Sequence, residues 1–428
     1  MNTSGEEIGF TTQQGDFDKG MLKEGLHALR AGHWPTLLGA WLHFEVSFMV
    51  WLLVGALSIA ISEEFALSAF EKGVLVGIPL LGGSLLRIVI GPLGDWVGAK
   101  TVGLVILGLE AVALLLGWQW GTNFGEILIV GLILGIAGSS FAIALPLASQ
   151  AYPPAHQGLA MGVAAVGNSG LLLASLFAPR LAAIFGWHQV FALMLVPVLG
   201  TACLFFWLVQ PASPPRHIHK KPETSTYFSL LSQGLRNTSM YWLCGLYAVT
   251  FGGFVGLSSY LPIFFHDRFQ IDMVAAGTLT ALAALVGSAA RPLGGFVADR
   301  FGGFLLLKGL FALVMILCLI SEQFSTIGWA LAIVLMIMLC LGFGNGVVFQ
   351  VVSCRFQGMM GTASGLIGAA GGLGGFLLPT CFGWLKDFTG TFSAGFFAFG
   401  LVSGFAALSV MIVQRSSRFD HLKSVSEN

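Results

Sequence analysis

From residue 36 onward the chain is a succession of long apolar stretches separated by short polar breaks. A helix needs about 20 mostly apolar residues to cross the hydrocarbon core of a bilayer. Twelve stretches qualify, at 36–61, 73–95, 100–119, 125–150, 157–184, 189–209, 240–265, 272–298, 303–321, 327–353, 359–385 and 393–414. They are too long, and lack the two-residue alternation, for strands of a membrane barrel. One long polar interruption, QPASPPRHIHKKPETSTYFSLLSQGLRNTSM at 210–240, is proline-bearing and basic at its centre. It predicts six spans plus six: a segment 1–35, a six-helix bundle 36–209, a linker 210–239, a second bundle 240–414 and a tail 415–428. The predicted fold is an all-α integral membrane protein with twelve transmembrane helices in two bundles.

Composition agrees with that pattern. The chain is 56% hydrophobic and 9% charged, with mean hydropathy +0.86, whereas a soluble domain carries about 25% charged residues. Lipid is therefore the solvent for most of this surface. The formal net charge of zero gives no basic field for nucleic acid. The first 35 residues are polar and mixed in charge, so no cleavable signal peptide is expected. With both termini and the linker placed on the cytoplasmic side, that side holds fourteen Lys and Arg against four outside, which is the bias that sets orientation. The remaining two, Arg87 and Arg291, fall inside spans.

The six cysteines are scattered, mostly in apolar runs, with no CxxC pair, so they read as packing residues rather than disulfides or zinc ligands. No metal or other cofactor is expected. An embedded enzyme would need a nucleophile–base set or a metal cluster. The spans hold neither HExxH nor a cysteine/histidine cluster, and HIHKK (217–221) lies in the linker, where it reads as solvated.

The two halves repeat one another. GSLLRIVIGPLGD (83–95) and GSAARPLGGFVAD (287–299) superimpose at an offset of 204, matching Arg87 with Arg291, Gly83 with Gly287, Ser84 with Ser288, Gly91 with Gly295 and Asp95 with Asp299; Gly98 and Gly302 follow at the same offset. At offset 203, GLAMGVAAVGNSG (158–170) pairs with GTASGLIGAAGGL (361–373). Two similar six-helix halves suggest a transporter whose site lies between them near the midplane. Such a chain already holds a complete pathway, so a monomer is expected.

GPLGDWVGAK (91–100) resembles the loop signature of the major facilitator superfamily, and GFVADRFGG (295–303) is its weaker counterpart, giving Gly91, Asp95, Gly98, Asp299 and Arg300 as signature positions. Within that superfamily, GVAAVGNSG (162–170), GLIGAAGGLGGFLLP (365–379), GNGVVFQVV (344–352) and FMVWLLVGAL (48–57) resemble the nitrate/nitrite porter family. The likeness covers essentially all twelve spans. One departure is Ala165, where the first signature often has glycine. The resemblance implies a major facilitator fold and transport of nitrate and nitrite, coupled to protons or to nitrite exchange, across a bacterial-type cytoplasmic membrane. A receptor without transport would use the same site but normally needs a signalling domain.

Arg87 and Arg291 are the first candidate site residues. An ionised side chain near the bilayer centre costs several kcal/mol, so each must face protein or a wet cavity. One reading is satisfaction by helix carbonyls or a buried acid. The other, favoured because the pair recurs in both halves, is an anion clamp: a guanidinium offers a planar fork of donors that matches a flat oxyanion. The family's substrate-liganding arginines correspond to these two. The resemblance also implies Phe141, Tyr247 and Phe251 at the anion site; the last two are four apart and share a helix face. Ordinary packing is the alternative for each.

Gly162, Gly167, Gly170, Gly365, Gly371, Gly372 and Gly374 would let helices approach closely and rock, or pack tightly and stay still. Asn168 would donate to the anion or cap a helix distortion. Glu45 is either a neutral or locally paired carboxyl, or a proton-coupling group whose charge competes with the anion. His43, two residues away, points to nearly the opposite face. Glu110 is a further membrane acid without an assigned role.

Overall fold

The computed structural model describes residues 31–153, 156–210, 236–323, 326–356 and 360–415, with 95, 322, 323, 360 and 361 described by backbone only. The segment 1–30, the linker residues 211–235 with HIHKK, and the tail from 416 lie outside the described residues. Among the described residues every regular element is a helix. The twelve spans are α1, in three pieces (Trp34–Trp51, Leu53–Ala56, Ser58–Glu64), α2 (Ala69–Val97), α3 (Ala99–Gln119), α4 (Phe124–Leu134, Gly135–Ser139, Phe141–Gln150), α5 (Gln157–Ala165, Val166–Ser169, Gly170–Phe185), α6 (Trp187–Leu208), α7 (Thr238–Phe269), α8 (Met273–Phe301), α9 (Gly303–Leu319), α10 (Ile327–Arg355), α11 (Met360–Thr389) and α12 (Ser393–Arg415).

Ten of these, α4 and α5 among them, are apolar and long enough to cross a membrane. α9, at 17 residues, is extended by the short 3₁₀ turn Ile320–Gln323. Where apolar runs predict uninterrupted spans, α1, α4 and α5 are broken. α1 breaks at Leu52 and Leu57. α4 and α5 each tighten to 3₁₀ geometry in mid-span, at Gly135–Ser139 and Val166–Ser169. Hydrophobicity carries no trace of this, because the cause is tertiary. Gly135 meets the backbone of Gly82 and Gly83 on α2, while Gly167 and Gly170 meet Phe44 and Glu45 on α1. Mid-helix 3₁₀ turns commonly mark strain or a hinge.

Corners repeat with the halves. Gly98 (φ 104°) joins α2 to α3 and Gly302 (φ 82°) joins α8 to α9; Gly186 (φ 82°) joins α5 to α6 and Gly390 (φ 75°) joins α11 to α12. Each pair is 204 residues apart, and left-handed backbone is the reason a glycine stands at each. The halves meet along α2 with α11 and α5 with α8. Glycines thin both seams: Gly372 faces Ser84, and Gly277 faces Ser175 and Pro179. α7 is almost wholly buried, while Trp207 and Phe405, 81% and 70% exposed, belong to an apolar perimeter suited to lipid.

Candidate functional site

The two matching arginines converge on one aromatic ring. The guanidinium carbons of Arg87 on α2 and Arg291 on α8 stand 5.7 and 5.9 Å from the centroid of Phe141 on α4. Arg87 also lies over Trp51 of α1 at 5.5 Å and Phe251 of α7 at 5.7 Å, and Arg291 over Phe349 of α10 at 5.8 Å. Tyr247, buried on α7, faces both arginines. It stacks on Phe251 with ring centroids 5.0 Å apart and planes 3° apart, and meets Phe349 edge-on at 5.0 Å. Phe349 meets Phe141 edge-on at 6.0 Å. The four-residue spacing of Tyr247 and Phe251 on one helix face is what lets the rings stack. Among the described residues neither arginine pairs with a carboxylate. Two permanent cations thus share an aromatic-walled space between the halves.

Arg87 is 2% exposed. Its Nε and Nη2 donate to the Gly138 carbonyl at 3.2 and 2.5 Å, and its Nη1 donates to the Gly368 carbonyl of α11 at 2.8 Å. The carbonyl-satisfied reading therefore describes part of what this residue does. A guanidinium has five N–H groups, so three such bonds leave two, one on each terminal nitrogen. That is the number a bidentate contact to an oxyanion uses. Sequence could place the arginine but not these carbonyls, which the 3₁₀ turn of α4 and the glycines of α11 bring within reach.

Glu45 is 6% exposed and accepts a hydrogen bond from Ser169 Oγ at 2.7 Å. Ser169 follows Asn168, a buried residue whose Oδ1 has no hydrogen-bond partner. Glu45 is thus tied to the glycine segment of α5, one residue from Phe44, whose ring lies 5.8 Å from Phe141. His43 goes elsewhere. Its Nε2 meets the Gly103 carbonyl at 3.1 Å and its ring lies 5.0 Å from Phe205, inside the α1–α3–α6 packing. The structure separates the two, as their spacing requires. Glu110, fully buried on α3, faces the Ser47 hydroxyl of α1.

The candidate glycines divide. Gly167, Gly170, Gly371, Gly372 and Gly374 sit at close helix approaches; Gly162 and Gly365 have nothing within 4 Å of where a Cβ would stand. At the loop signatures, Gly91 packs loosely on Ala142, Asp299 is exposed, and the Arg300 guanidinium lies 4.4 Å over Phe296. The Asp95 side chain lies outside the described residues. Sequence reading missed Phe349, Trp51 and Ser169. Each lies within a quoted motif or next to a chosen residue, but nothing in its spacing sets it apart from neighbouring aromatics or hydroxyls.

A two-bundle helical membrane protein with a polar site between its halves is a facilitator-type transporter in build. Comparison with known proteins agrees: the Major Facilitator Superfamily model matches residues 40–379. The chain is 32% identical over 356 residues to the probable nitrate/nitrite transporter NarK2 of Mycobacterium tuberculosis, covering 82% of this chain and 88% of that protein. It is 31% identical over 365 residues to the nitrite extrusion protein of Bacillus subtilis, covering 85% and 90%. It is 28% identical over 401 residues to the probable nitrate/nitrite antiporter NarK1 of Thermus thermophilus, covering 86% and 88%. The chain belongs to the major facilitator superfamily and, within it, to the nitrate/nitrite porter family: a multi-pass membrane transporter, not an enzyme.

Proposed function

We propose that this chain carries nitrate, and also nitrite, across a bacterial-type cytoplasmic membrane by alternating access, with proton-coupled nitrate uptake as its mode. The observation that carries the reading is the pair of arginines, one from each half, over the single Phe141 ring with no carboxylate partner among the described residues. A flat monovalent anion fits between aromatic faces, takes the two free N–H groups of Arg87, and receives a further donor from Tyr247. Arg291 closes on it from the other half, and Asn168 flanks it from α5.

Bringing such an anion into an inside-negative cell opposes about 2.3 kcal/mol per 100 mV. One accompanying proton cancels that work and two reverse its sign. Glu45, held by Ser169 beside Asn168, is the carboxyl proposed to carry a proton. His43, in the packing behind α1, is the weaker candidate. Exchange of nitrate for nitrite also cancels the work, and a relative named as an antiporter favours that second reading. The proposed organisation is a bundle at 36–209, a linker at 210–239, a bundle at 240–414, both termini cytoplasmic, and a monomer as the working unit.

Uptake of nitrate into liposomes holding the purified protein tests this. An imposed acid-outside gradient should drive uptake in the parent and fail to do so in Glu45→Gln. Uptake that requires trapped nitrite and ignores both the gradient and Glu45 would establish exchange and remove Glu45 from the site.

A further inference from the structure

Glu110, the membrane acid without a role so far, stands in the middle of α3 and is fully buried. It faces the Ser47 hydroxyl of α1, also fully buried and without any other hydrogen-bond partner among the described residues. Ser47 lies one turn along α1 from His43, on the same face. His43 in turn meets the carbonyl of Gly103, two turns along α3 from Glu110. Phe44, next to His43, turns instead toward Phe141. Glu110 thus lies between α1 and α3, behind the wall of the anion site rather than in it.

The repeat shows that packing does not require an acid here. The corners Gly98 and Gly302 set α3 against α9 at an offset of 204, which places buried Val314 where Glu110 stands. Gly170 packs on the Glu45 carbonyl and Gly374 on the Ala248 carbonyl, so α1 and α7 match at an offset of 203. Leu246 then takes the place of His43, Ala248 that of Glu45 and Thr250 that of Ser47. Thr250, like Ser47, is buried with its hydroxyl unpartnered. The second half keeps the hydroxyl and replaces all three titratable side chains with apolar ones.

A carboxylate buried without a cation is too costly to keep, and among the described residues no Lys or Arg pairs with Glu110. On the helices around it, Arg87 serves Gly138 and Gly368, and Glu45 is held by Ser169. Glu71, Lys72, Glu126 and His188 lie toward the α3–α4 end, Asp95 and Lys100 toward the opposite end, and Cys203 is exposed. His43 is the titratable group that shares the interface. One carboxyl and one hydroxyl fall short of the six or so oxygens a hard metal ion takes, so the ligand that fits is a proton. A serine hydroxyl serves both states, accepting from the acid and donating to the carboxylate. We infer that Glu110, with Ser47, is a second proton-carrying site, on the face of α1 opposite Glu45. Loading forms an O–H bond on the carboxyl with a proton from water on one side of the membrane; release breaks it and returns the proton to water on the other. The inference rests on the proposed symport, and two protons with one anion carry one net positive charge inward.

Nitrate accumulation in liposomes under an acid-outside gradient, with and without an added inside-negative potential, tests this. A potential of about 100 mV should raise steady-state accumulation in the parent by up to about 50-fold. Glu110→Gln, which has no proton to release, should lose that response, and Glu110→Asp should keep it. The infrared difference between the parent and Glu110→Gln, both in lipid at neutral pH, should contain the carbonyl stretch of a protonated carboxyl. Thermal unfolding checks that each variant folds, and Glu110→Leu stands in if Glu110→Gln does not. A parent-like response to potential in Glu110→Gln, equal loss in Glu110→Gln and Glu110→Asp, or absence of the carboxyl band overturns the site. A parent driven by acid but indifferent to potential also overturns it and leaves single-proton symport standing. A parent indifferent to the acid gradient removes the symport reading and this inference with it.

Discussion

Lysine and arginine carry the same charge, yet only one of them can do what Arg87 does. Its guanidinium serves Gly138 and Gly368 on opposite halves and keeps two donors free. An ammonium has three donors on one atom and no plane. Arg87→Lys is expected to fold, because the charge still lies among Trp51, Phe141 and Phe251, and to weaken nitrate binding by about 10- to 100-fold through lost charge-assisted bonds. Calorimetric titration with nitrate checks this; near-parent affinity would remove the clamp. At this scale the sequence was informative where a residue was out of place for its surroundings. An arginine inside an apolar span, repeated 204 residues later, stands out. Phe349 does not, being one of 36 phenylalanines, and only the fold brings it under Arg291.

At the scale of the helices, the spans were legible because membrane crossing fixes both length and composition. The interruptions of α1, α4 and α5 were not, since they arise where backbones touch. The glycine-rich segment of α5 contains both kinds of position. A Cβ on Gly170 would collide with the Glu45 carbonyl, whereas one on Gly162 would meet nothing. Gly170→Ala is therefore expected to lower thermal stability by about 1–3 kcal/mol. Gly162→Ala should leave stability unchanged or raise it by up to about 1 kcal/mol, from helix propensity. If Gly162 is kept small for an approach made only in the opposite arrangement of the halves, Gly162→Ala will still lower turnover in liposomes. Parent-like turnover would make that glycine a bystander.

Over the whole molecule, the repeat was the most readable feature, and the structure extends it to the matched corners at Gly98 and Gly302, and at Gly186 and Gly390. The second of these pairs lies outside the motifs that reveal the repeat, so only backbone geometry discloses it. The ion pairs of Asp267 on α7 with Lys72 of α2 and Lys386 of α11 were equally hidden, since charges at span ends look like ordinary flanking residues until the helices are assembled.

The contact of Trp51 with Arg87 and Phe251 gives the molecule an internal light source. The indole N–H is fixed to the Pro79 carbonyl of α2 at 2.8 Å, so the ring travels with the first half. Its face lies 6.4 Å from Phe251 in the second. Indole emission shifts in colour with the electric field and polarity around it. Of the eleven tryptophans, this one sits against a cation proposed to hold the anion and across from the opposite half. The difference spectrum between the parent and Trp51→Phe should therefore change when nitrate is added, and in an Arg87→Lys background the same change should need about 10- to 100-fold more nitrate, reporting occupancy without a label.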